Sequence, residues 1–181
     1  MRSTLFAALA FLMLAGSSLY AAEPVPAGIG LKWGVGYAQF DDSRLTAVNQ
    51  IVEISFKIDT AVSLVISHEQ ASVAFDDRNG VSFDTTADLT GLGIMCDVNK
   101  MVKAGIAIGK CNDSDFGITS PYADVAAEVS LLEGKGEKIG YSLAVGLKYR
   151  FIETGNIGTP TGPDIENMNC TLISLKLGVM F

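Results

Sequence analysis

Hydrophobic and polar positions alternate with a period of two along most of this chain. That period marks strands whose two faces meet different surroundings. The last segment is the clearest: Ile173, Leu175, Leu177, Val179 and Phe181 share one face, and Ser174, Lys176, Gly178 and Met180 the other. The same alternation runs through Leu31–Tyr37, Val52–Ile58, Val62–Ile66, Thr90–Cys96, Val102–Ile108, Ala123–Leu131 and Ile139–Tyr149, which makes eight segments in all. Each is near the length of roughly nine to eleven residues that a tilted strand needs to cross a bilayer. The connections after the second, fourth and sixth are short: Asp59-Thr60, Val98-Asn99-Lys100 and Gly134-Lys135-Gly136. Those after the third, fifth and seventh are longer, while the first, Asp41–Leu45, is a short exception. The pattern predicts an all-β fold, an eight-stranded antiparallel barrel.

Periodicity does not say which face points inward. A water-soluble barrel would bury its apolar face. Three arguments favour the inverted, transmembrane arrangement. An eight-stranded barrel has an interior just wide enough for side chains to fill it. The apolar face carries four or five large residues on nearly every strand, too many for that space, whereas the other face is rich in glycine, alanine and serine. Second, Lys32, Lys57, Lys103, Lys148, Arg150 and Lys176 share that small face with Glu53, Glu69, Asp124 and Glu128. Mixed charges on one face can neutralise each other inside a barrel. Third, with a periplasmic N-terminus, Phe56, Tyr141 and Phe181 fall near the inner rim, and Tyr37, Tyr149 and Phe151 near the outer one. Membrane barrels carry such aromatic girdles.

Composition sharpens this picture. The chain is 49% hydrophobic and 18% charged, yet its one long apolar run, Leu5–Ala15, follows Arg2 and precedes small residues. That is the layout of a secretory signal, too short to span a bilayer. Residues 1–22 are therefore read as a cleaved signal peptide and 23–181 as the barrel domain. The formal net charge of −7 excludes nucleic acid as a partner, since phosphate binding needs a basic surface.

The terminal run Lys176-Leu177-Gly178-Val179-Met180-Phe181 resembles the C-terminal assembly signal of bacterial outer-membrane proteins: a polar residue, a glycine, alternating apolar residues and a final aromatic. With the pattern over the mature chain, it is similar to the small OmpA/OmpX-like, porin-like barrels. The resemblance implies an outer-membrane location, recognition of Lys176, Gly178, Val179 and Phe181 by the barrel-assembly machinery, and contact with outer-membrane lipid and lipopolysaccharide. It implies a structural or weakly permeable role, without a cofactor.

Other candidate sites are weighed against simpler readings. Asn79-Gly80 is a hairpin-turn signal. A three-residue loop, Arg78–Gly80, sets Phe75 opposite Phe83, Ile66 opposite Leu92 and Leu64 opposite Ile94. The hairpin 72–86 would then project beyond the bilayer and, with the long loop 153–169, could bind a surface ligand through Phe75, Arg78, Asn79 and Phe83. The lone histidine, His68, raises a lipid A-modifying enzyme as an alternative, but Ser67 and Glu69 are its immediate neighbours and point away on a strand. The expectation is no enzyme. Cys111 and Cys170 fall near the outer rim as a candidate disulfide. The acidic loops, including Asp113-Ser114-Asp115-Phe116-Gly117, lack the later glutamate of a calcium loop, so no metal is expected.

Overall fold

The computed structural model describes residues 28–76, 82–113, 118–135, 139–152 and 168–181. The expected signal segment, the Arg78–Gly80 turn and residues 153–167 of the last loop lie outside that set. The described residues form β1 (Ile29–Phe40), β2 (Leu45–Lys57), β3 (Val62–Asp76), β4 (Ser82–Asp97), β5 (Val102–Asp113), β6 (Ile118–Lys135), β7 (Gly140–Ile152) and β8 (Cys170–Met180). Each strand pairs antiparallel with its sequence neighbours, and β8 closes on β1.

The register fixes the geometry. Following partners from Gly30 through Ser55, Val65, Gly93, Ala107, Asp124, Arg150 and Cys170 returns to β1 at Phe40. The ring therefore closes with a stagger of ten residues. For eight strands this stagger corresponds to a tilt of about 40°. The expected pairs Phe75 with Phe83, Ile66 with Leu92 and Leu64 with Ile94 are all present.

The apolar face points outward. Leu31, Trp33, Val35 and Tyr37 on β1, Ile66 on β3, Leu92 and Ile94 on β4, and Ile173, Leu175 and Leu177 on β8 are all exposed. Only a hydrocarbon surround makes that arrangement stable, because in water this girdle would be one large unburied patch. The barrel is a transmembrane one. On β6, Leu131 and Leu132 are both exposed because a bulge between Ser130 and Leu132 breaks the alternation. Gly134, expected in a turn, lies in β6 opposite Tyr141, whose ring occupies the space a Cβ there would need.

At the end where the long loops lie, β2 starts at Leu45 rather than near Val52, and β3 runs on to Asp76, as the expected projecting hairpin requires. In these extensions the chemistry of the faces is exchanged. Leu45, Ala47, Ile51, Ala71, Val73 and Phe75 point inward and are buried. Gln50, His68, Gln70 and Ser72 point outward and are exposed. Along β2 and β3 the inward parity does not change, but what sits on it does.

Candidate functional site

Among the described residues, the lumen is where the fold gathers its charged side chains. Among the described residues, six cations and five carboxylates meet there in three layers along the barrel axis. At the turn end, Asp97 lies 2.7 Å from the Nζ of Lys57 and 3.8 Å from that of Lys103. In the middle layer, Lys176 is 2.7 Å from Glu53 and 3.3 Å from Glu128, and Lys32 also pairs with Glu128. Nearer the loop end, Arg150 donates two bonds of 2.8 Å to the two oxygens of Asp124 and lies 3.0 Å from Glu69. Lys148 pairs with Glu69 and lies 3.7 Å from Asp124 and 4.0 Å from Glu53, tying this layer to the one below.

The middle and loop-side layers each hold two cations and two carboxylates. Each is neutral, so ions that burial alone would penalise by several kcal/mol offset one another. Glu69 is 0% exposed; Lys148 and Arg150 pair with it, and the Asn49 amide donates to it at 3.4 Å.

Above these layers the lumen turns apolar. Phe40, Leu45, Val73, Phe75, Leu89 and Leu172 belong to one buried cluster that fills the barrel at its loop end. Tyr122 marks the boundary: the Arg150 guanidinium lies 4.5 Å from its ring centre. The ring and hydroxyl of Tyr122 occupy the space beside Gly91 and Gly109, where any Cβ would collide with them. Over the plug sits Arg44, 5.2 Å above the Phe75 ring. Arg44 also donates to both oxygens of Asp42, at 2.9 and 2.7 Å, and this bond holds the Asp42 carboxyl below its ordinary value. Beside Glu53, Lys148 and Lys176 lies a cavity of about 40 Å³, with room for about three waters.

All ten residues expected in the lumen charge network face inward. Sequence reasoning missed Asp97. It follows Met95 and Gly93 at the same parity, which was the available signal. Of the expected assembly signal, Lys176 is buried in the middle layer and Val179 and Phe181 are exposed outside. Gly178 is packed so closely that a Cβ would meet Ser142 and Lys32.

Three expectations are corrected. Phe75 is not a surface anchor: at 1% exposure it lies inside the plug, because the β3 extension keeps its parity. Arg78 and Asn79 lie outside the described residues, and Phe83 is placed only by its pairing with Phe75. The Cys111–Cys170 disulfide is absent: both thiols are free. They sit within β5 and β8, not in loops, and strands three places apart in a ring spaced about 4.8 Å per strand exceed a disulfide's reach. His68 lies on the outer face, with Ser67 and Glu69 buried on the opposite one. Among the described residues, no group of three or more His, Cys, Asp or Glu side chains is placed to hold a metal ion.

Neither a protein-family model nor a curated protein matches the sequence. Solved structures do. Neisserial surface protein A is 14% identical, with 84% of this chain and 94% of that one covered and a TM-score of 0.47. Ail, the attachment invasion locus protein of Yersinia pestis, is 13% identical over 86% and 97%, with a TM-score of 0.44. A de novo designed transmembrane β-barrel is 13% identical over 89% and 98%, with a TM-score of 0.44.

Proposed function

We propose that this chain is a structural outer-membrane protein with a sealed lumen. Its short turns lie in the periplasm and its long loops outside, and a signal peptide, residues 1–22, is removed on export. One observation carries the reading: an apolar plug stacked on two neutral ion-pair layers. A solute would have to part Arg150 from Asp124 and Glu69 and then displace Phe75 and Leu45. The weakly permeable, porin-like version has no comparable support.

Planar-bilayer conductance tests it. The wild type should give no channel events, and Leu45→Ala with Phe75→Ala should give small ones. Steady channels from the wild type would overturn the seal. Location is tested separately by gel mobility of the membrane fraction with and without boiling, and the signal by sequencing the mature N-terminus, expected near residue 23.

No catalysis is proposed: His68 stands opposite Thr90 on the outer face, and among the described residues no hydrogen bond ties it to a nucleophile or an orienting carboxylate. A second reading, attachment to a surface ligand, is favoured by one observation. The outward side of the β3–β4 extension is polar, with Gln70, Ser72, Asp84 and Asp88 exposed. That surface is built for water or a polar partner. The partners proposed are otherwise outer-membrane lipid, lipopolysaccharide and the barrel-assembly machinery.

A further inference from the structure

The layer at the turn end differs from the two above it. It is not neutral: Lys57 and Lys103 share the single carboxylate of Asp97. Lys57 donates to Asp97 at 2.7 Å and to the Thr60 carbonyl at 2.8 Å. Lys103 stands 3.8 Å from Asp97, beyond hydrogen-bond distance, whereas Lys57, Lys176 and Arg150 each hold a carboxylate within 2.8 Å.

These groups line an open cavity of about 260 Å³ at the barrel mouth, together with Lys100, Asn99 and Glu133. Asn99 uses its Oδ1 to accept from the amides of Met101 and Val102, which leaves its Nδ2 as a donor. Glu133 accepts from Ser130 at 2.7 Å. Three ammonium groups thus face two carboxylates around a polar cavity wide enough for a tetrahedral anion.

We infer that this mouth binds a phosphate oxyanion, with Lys103, Lys100 and the Asn99 amide as donors and Lys57 holding Asp97 aside. The chemistry is shared by free phosphate and by the phosphodiester of a lipid headgroup. The anion completes the neutralisation that the upper layers achieve internally, and charge-assisted bonds to ammonium groups are the strong kind.

The test uses the isotope-labelled, full-length protein in phosphate-free maltoside detergent, with inorganic phosphate as the probe and amide NMR shifts as the readout. Saturable shifts are expected over Asn99–Lys103 and at Thr60. Lys103→Gln and Lys100→Gln should each weaken binding at least tenfold. Lys110→Gln, which removes the same charge from the outer face near the other end, should leave it unchanged. Shifts that fail to saturate, or that Lys110→Gln reduces as much as Lys103→Gln, would overturn the site. Adding phosphatidylglycerol instead of phosphate identifies the source. Matching shifts from the lipid alone assign the site to a headgroup, and shifts from phosphate alone to a soluble anion. Silence from both overturns the inference. Unchanged heat-shifted gel mobility shows that each variant is folded.

Discussion

The lipid-embedded section and the section at the loop end are built on the same eight strands, with the same parity and stagger, yet they are opposite in chemistry. In the embedded section the outside is Leu, Ile, Val and aromatic, and the inside is ion pairs and small residues. At the loop end of β3 and β4 the outside carries Gln, Ser, Thr and Asp, and the inside Leu, Val and Phe. The difference teaches that alternation encodes a strand, while the solvent on its outer side decides which face is apolar. Where hydrocarbon surrounds the sheet, polar groups must satisfy each other within. Where water surrounds it, the hydrophobic effect restores an ordinary core.

Substitutions can break this contrast, and the largest effect should come from the ion pairs. Glu69→Ala leaves Lys148 and Arg150 short of a carboxylate inside the barrel. Urea unfolding in lipid vesicles, followed by Trp33 fluorescence, should show a loss of about 3–5 kcal/mol. Phe75→Ala opens a cavity in the plug and should cost a comparable 3–5 kcal/mol, although no lipid is involved. A near-zero value would mean the plug is not a packed core.

The direct comparison is an arginine scan of the outer face. Leu175→Arg, in the embedded section, should cost about 2–4 kcal/mol, whereas Ser72→Arg, at the loop end, should be close to neutral. Equal costs would place both positions in lipid and remove the contrast. Gly91→Ala should destabilise by roughly 1–3 kcal/mol through its clash with the Tyr122 hydroxyl, with partial rescue by Tyr122→Phe.

The smallest effect is expected at Asp42. Its carboxyl is held below the ordinary value by Arg44, so its contribution is present at neutral pH and is lost as pH falls through the lowered value. The pair is partly exposed, so the loss should stay below about 1 kcal/mol. Arg44→Gln should abolish that pH dependence in acid unfolding curves.

Much of this was legible in the chain. The embedded segments were found because apolar residues on alternate positions contrast sharply with Gly, Ser and Lys between them. The start of β2 was missed because Ile51 and Val52 are both apolar and face opposite ways, which blurs the alternation where the faces exchange. Phe75 was misread for the same reason. Its partner Phe83 was correctly placed, but apolar residues were assumed to face outward throughout. Ten of the lumen charges were readable from parity, whereas their partners were not. Lys176 and Glu53 are 123 residues apart, and only closure of the ring brings them to 2.7 Å.

The sequence by itself determined the embedded strands, their number and their direction, because a period of two divides the side chains of each strand between two faces. The tertiary structure alone decided the rest. A stagger of ten residues set which charges share a layer. It carried the strands past the lipid, where the apolar face turns inward. It also kept Cys111 and Cys170 apart on strands that do not adjoin. Those outcomes depend on height along a closed, tilted ring, a coordinate that exists only once the last strand has met the first.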